Sequence, residues 1–189
     1  GNMHGAYELW RAAVDSGVKP IIGIEAYVTP ETARQDKTRV SWDTNWTPVP
    51  GHARNPDDVS GGGLITHLTM WAENDEGLVN LIKASSVANL EGRVMRYPRM
   101  DKEVLSTYSK GVIASSGCPS GIIQTRLRLG QFDEALRAAG EFQDIFGKDN
   151  FYIELMDHGL SIESKVTGDL LTIAKKLGAP LLATNDSHY

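Results

Sequence analysis

Apolar runs of strand length alternate along this chain with segments of helical period, and no single residue constrains the fold as much as that alternation does. Pro20-Ile21-Ile22-Gly23-Ile24, Leu64-Ile65-Thr66, Val112-Ile113-Ala114, Phe151-Tyr152-Ile153-Glu154-Leu155 and Leu181-Leu182-Ala183 read as strands. Between them, residues 7–14 read as a helix with Asn2 as N-cap and Gly17 as stop. Leu78, Leu81, Ile82, Ser85 and Val87 fall near one face of a second helix, opened by Asn74 or Asp75. Phe132, Leu136, Ala139, Phe142 and Phe146 mark a third, ended by Gly147. Leu170, Leu171, Ile173, Ala174 and Leu177 mark a fourth, ended by Gly178-Ala179-Pro180. Strand and helix in turn predict an α/β fold of parallel strands joined by helical crossovers, all strand C-termini opening on one side.

The strand runs also deliver ligand-capable side chains at or just past their ends. Glu25 follows the first, His67 the second, Cys118 comes after Ser115-Ser116-Gly117, and Asp186 and His188 follow the last. If the last run is a strand, residues two apart share a face, so Asp186 and His188 point the same way. Alone, such a pair near a turn is ordinarily solvated or capping. Repetition at four strand ends makes metal ligation the stronger reading, and carboxylate, imidazole and thiolate together suit zinc, manganese or iron. A barrel assembles its site from such ends. An open doubly wound sheet favours a Gly-rich phosphate loop after its first strand, and none is visible, so the barrel is the better reading.

The other conspicuous residues have plainer readings. Residues 29–63 carry turn formers and little periodicity, as a long irregular insertion would. Within it Trp42 and Trp46 could stack on bases, but packing on the domain surface is the commoner fate, and His52 reads as solvated. Cys118, before Pro119 at an expected helix start, reads first as a thiolate ligand, then as a buried structural cysteine, and last as a nucleophile. His158 in Asp157-His158-Gly159 suits a phosphate contact or a turn histidine held by backbone, and His4 reads as exposed. Arg93, Arg96 and Arg99 around Tyr97-Pro98 read as a solvated helix end, with phosphate contact as the alternative.

With 189 residues and 41% hydrophobic content the chain can bury a sizeable core. It has no run approaching the ~20 apolar residues of a membrane span, and no secretory signal. A net charge of -5 argues against a free-standing DNA-coating module, although divalent metals can supply positive charge locally. A single cysteine forbids an internal disulfide and fits a reducing cytoplasm. The chain opens on Gly1 and five strands are too few to close a barrel, so a piece of a larger protein is expected.

Gly23-Ile24-Glu25-Ala26-Tyr27, Thr66-His67-Leu68-Thr69, Ser116-Gly117-Cys118-Pro119, Asp157-His158-Gly159 and Ala183-Thr184-Asn185-Asp186-Ser187-His188-Tyr189 together resemble the polymerase and histidinol phosphatase (PHP) domain family. More narrowly, the Gly-Cys-Pro and Ala-Thr-Asn-Asp-Ser-His-Tyr forms are similar to the branch at the N-terminus of bacterial replicative polymerases of the DNA polymerase III alpha type. The resemblance covers nearly the whole chain, with motifs in family order.

It implies a distorted seven-stranded (β/α) barrel holding up to three divalent metals on nine ligands, of which Glu25, His67, Cys118, Asp186 and His188 match five. The family's opening His-X-His pair, a following Asp and a further His have no counterpart, so the barrel is expected to be incomplete, its first strands missing, and these 189 residues inactive alone. The implied activity is metal-dependent phosphoester hydrolysis, in the polymerase 3′ to 5′ exonuclease action on DNA, with zinc favoured by Cys118. Asn185 and His158 are expected just outside the ligands or against phosphate. Primer-template DNA and replisome subunits are the implied partners and the cytoplasm the implied compartment. The alternatives are a stand-alone phosphoesterase of the histidinol phosphatase type and a metal-free scaffold.

Overall fold

In a computed structural model, residues 1–187 are described as a mixed α/β fold. Among them run α1 (Ala6–Asp15), β1 (Gly23–Val28), α2 (Ser60–Gly63), β2 (Thr66–Ala72), α3 (Asp75–Glu91), β3 (Arg99–Met100) and α4 (Lys102–Thr107). Then follow β4 (Val112–Ser115), α5 (Ile122–Arg128), α6 (Phe132–Phe146), β5 (Phe151–Leu155), α7 (Ser161–Leu177) and β6 (Leu181–Ala183). The six strands form one sheet in the order β3-β1-β2-β4-β5-β6.

The expectation of uniformly parallel strands is corrected at β2, which runs antiparallel to both β1 and β4, while the other neighbours pair in parallel. Reversing one strand puts its beginning, not its end, on the edge where the other strands finish. His67 therefore reaches that edge as the second residue of β2 rather than from a strand C-terminus. Glu25 likewise stands inside β1, not beyond it.

Period-two burial explains which face does what. Ile24, Ala26 and Val28 of β1 and Leu68 and Met70 of β2 are buried together with Leu81, Ala84 and Ala88 of α3. Their alternates Glu25, Tyr27, His67 and Thr69 are half-buried on the other face. Phe142 of α6 packs at a tilt against Phe151 of β5 with ring centroids 5.8 Å apart, and α7 adds Val166, Leu170 and Ile173 to the same core.

Helix ends follow local chemistry. Asn74 caps α3, accepting from the Gly77 N–H at 3.0 Å. Gly17 lies past α1 at φ 69, and the Val18 N–H reaches back to the Ala13 carbonyl at 2.8 Å. Asn2 is not the α1 cap: Gly5 holds that position, and the Asn2 side chain accepts from the His4 N–H instead. The α3 face is also rotated from expectation, with Ile82 exposed and Gly77 buried. A Cβ at Gly77 would sit 1.6 Å from the Gly111 carbonyl oxygen, so close approach to the neighbouring turn selects that face.

Residues 29–59 contain no helix or strand beyond an isolated bridge between Val49 and His52. The stretch is nevertheless pinned. Asp58 accepts from the Ser41 hydroxyl at 2.6 Å and from the Trp42 and Asp43 N–H groups. The Arg126 guanidinium lies 3.8 Å from the Trp42 ring centroid, so Trp42 is packed rather than open to a base. Arg99 corrects the reading of a solvated cluster: it is wholly buried and donates to the carbonyls of Gly92, Leu64, Arg34 and Asp36. A guanidinium carries five donors, and here backbone oxygens use four of the contacts.

Candidate metal centre

On the half-buried sheet face, Glu25 stands opposite Thr69 and Tyr27 opposite His67. Glu25 and His67 are thus diagonal cross-strand neighbours, a separation long side chains close. His67 Nδ1 lies 3.0 Å from Glu25 Oε1 and 3.3 Å from Cys118 Sγ, and the Tyr27 ring tilts against the imidazole at 5.5 Å.

Cys118 arrives on the loop after β4. The loop docks on the start of β2, with the His67 N–H donating to the Ser120 carbonyl at 3.0 Å. Gly117 makes this possible: its φ is 80, and a Cβ there would meet the His67 carbonyl oxygen at 3.0 Å. Pro119 does not open a helix, because α5 starts only at Ile122; no helix N-terminus therefore activates the thiol. Burial pushes the Cys118 thiol up to about 12; the Ser120 backbone hydrogen bond opposes the rise, and the Glu25 and Asp186 carboxylates add to it. Such a group is a poor nucleophile near neutral pH.

β6 ends at Ala183, and Asp186 follows in a left-handed conformation at φ 41. Strand alternation therefore does not extend to Asp186, and its expected partner His188 lies outside the described residues. Asp186 lines an open cavity of about 640 Å³ together with Glu25, Thr69 and Glu154. Glu25, His67 and Cys118 each offer one donor atom within 4.8 Å of the other two. Carboxylate oxygen, imidazole nitrogen and thiol sulfur so placed fit a borderline divalent cation, and such a cation would reverse the pressure that keeps the thiol protonated.

Two supporting residues were not singled out from sequence. Glu154, 4% exposed, accepts from the Ser115 and Thr184 hydroxyls, while its backbone N–H donates to Ser116 Oγ at 2.9 Å. It ties the loop of Cys118 to the loop of Asp186; the available signal was a carboxylate inside an otherwise apolar strand run. Arg128 donates to the Pro119 and Asp57 carbonyls, joining the irregular stretch to the cysteine loop. Its signal was weaker, since α5 itself is buried at every position and shows no amphipathic period.

His158 contacts Asn185, but through the Asn185 backbone carbonyl, 3.1 Å from Nε2. Its Nδ1 lies 2.6 Å from Glu163 Oε1, and its N–H donates to Glu163 Oε2. The Glu163 carboxylate first, and the Asn185 carbonyl second, hold the imidazole above its ordinary pKa. His158 therefore clamps the segment that carries Asp186.

A family model for the PHP domain matches residues 1–158. The chain belongs to the PHP domain family. Its PHP match includes Glu25, His67 and Cys118 and stops before Asp186. Over all 189 residues the chain is 51% identical to a protein of Mycobacterium leprae and 53% identical to one of Saccharopolyspora erythraea, both named DNA polymerase III subunit alpha. A protein of that name in Borreliella burgdorferi is 37% identical over the same length. The chain spans about 15% of the length of these curated relatives and so matches one portion of much longer proteins. Among its described residues no helix is long and apolar enough to cross a membrane.

Proposed function

We propose that this chain is the PHP portion of a bacterial DNA polymerase III alpha subunit, and that Glu25, His67, Cys118 and Asp186, with His188, bind divalent metal for phosphoester hydrolysis on DNA. The observation that carries the reading is His67 Nδ1 lying within 3.3 Å of both a carboxylate and a thiol. Glu25 and Asp186 contribute negative charge, His67 a neutral nitrogen, and Cys118 the soft donor that favours zinc over manganese or iron. A divalent cation held there supplies Lewis-acid charge to a scissile phosphate. Glu154 and His158 keep the Cys118 and Asp186 loops in register, and Tyr27 backs the imidazole.

In the complete domain the sheet is read as part of a seven-stranded barrel with up to three metals, interrupted by an insertion at about residues 29–63. The parent protein would act on primer-template DNA in the cytoplasm alongside replisome subunits. Metal titration of wild type, Cys118→Ser and Asp186→Asn in the full-length protein, with an exonuclease assay alongside, tests this. Cys118→Ser is expected to weaken zinc while sparing manganese-supported activity, and Asp186→Asn to weaken both. Absence of metal by elemental analysis would leave the scaffold reading. Loss of activity with every metal in Cys118→Ser, with Asp186→Asn intact, would make the cysteine a nucleophile.

A further inference from the structure

A second cavity, of about 210 Å³, adjoins the candidate metal centre and contains no carboxylate: Arg93, Arg96, His4, Asn2, Asn89 and Tyr27 supply its polar lining. Its walls at Gly1 and Asn2 are shared with the cavity of Glu25 and Asp186, and the ring of its Tyr27 tilts against His67. Arg93 and Arg96 are exposed, and among the described residues their guanidinium contacts are the Met95 carbonyl and the Tyr97 hydroxyl, not a carboxylate. Arg93 precedes, and Arg96 sits within, a two-residue hairpin turn (Met95-Arg96) closed by mutual Val94 and Tyr97 backbone bonds, with Met95 at φ 54. In a chain of net charge -5, two unneutralised arginines at one acid-free cavity mark a site for an anion.

We propose that this cavity binds the phosphodiester backbone of single-stranded DNA immediately beside the metal centre, through Arg93 and Arg96. The inference rests on the DNA reading above and adds where the strand runs. Arg96 covers the Tyr97 ring at 5.2 Å and Tyr27 meets that ring edge-on at 5.3 Å, so recognition falls to charge rather than to base stacking. Binding there is accordingly independent of base sequence. An acidic peptide would satisfy the charges but would give no scissile phosphate to the proposed metal centre at Glu25 and His67.

The test is fluorescence anisotropy of short labelled oligodeoxynucleotides on the full-length protein, in chelator and across a salt series, so that metal binding does not enter. For Arg93→Ala/Arg96→Ala the slope of log affinity against log salt is expected to become shallower by about 1.4, two contacts at ~0.7 each for single strands. Lys175→Ala/Lys176→Ala, with the same change in net charge at the far end of α7, is expected to keep the wild-type slope. Circular dichroism melting of both double variants checks that they fold, and Arg93→Gln and Arg96→Gln singly should each remove about half the effect. Equal loss in both double variants, no loss in the arginine one, or polyglutamate competing as well as DNA would overturn the proposal. Metal affinity measured separately tells its failure from failure of the metal reading: an intact DNA effect without metal binding sinks only the latter.

Discussion

At the scale of single residues, His158 gives the sharpest pH expectation. Its folded pKa is raised from 6.5, so its contribution is fully present below 6.5 and lost as pH rises through the raised value. Glu163 is lowered from 4.5; burial alone would raise it, but the His158 contacts outweigh that, so its contribution is lost as pH falls through the lowered value. The pair therefore contributes fully between pH 4.5 and 6.5 and fades outside that window, towards Glu163's lowered and His158's raised pKa. Melting temperature should fall as pH climbs past 6.5, and His158→Gln should remove that fall. An NMR titration placing His158 at or below 6.5 would refute the clamp. Residue chemistry was partly legible in advance: Glu25, His67 and Cys118 were named from type and position, whereas Arg99 was misplaced. A charged residue's burial depends on which distant carbonyls surround it, and sequence does not show them.

At the scale of elements, the site depends on loops held by strands. Glu154 on β5 accepts hydroxyls from β4 and from the residue after β6, so one carboxylate sets the spacing of the loops that carry the proposed ligands Cys118 and Asp186. Glu154→Ala leaves those hydroxyls without their acceptor, at about 1–3 kcal/mol for each buried group stranded. Zinc affinity should drop roughly 10–100-fold, the usual scale for partners that orient ligands. Glu154→Gln, which keeps the shape, should recover part of both; chemical denaturation and metal titration measure them. If Glu154→Ala binds zinc like wild type, the tie is not what orders the loops. Strong periodic segments such as α6 and α7 were legible because burial on one face repeats every turn. The two-residue β3, the short α4 and the wholly buried α5 were not, because they show no period of their own.

At the scale of the whole molecule, the proposed ligands come from β1, β2, the β4 loop and the β6 loop, so a metal bound there would cross-link both halves of the sheet. Binding to the folded state alone stabilises by about 2.7 kcal/mol at a hundredfold excess over Kd. For a domain of this size that raises the melting temperature by roughly 5–10 °C. Calorimetry of the full-length protein with zinc and with chelator checks it, and identical melting curves would count against a metal held in the native state.

The sequence by itself determined the alternation of strands and helices, the stop at Gly178, a cap at Asn74 or Asp75, and the residue types gathered at one sheet edge, because these follow from period, backbone preference and ligand chemistry within a few residues. Only the tertiary structure decided that β2 runs backwards, that Arg99 is buried and that Glu154 joins two loops. Strand direction and polar partners are settled by pairings between residues far apart in the chain, where local pattern carries no information.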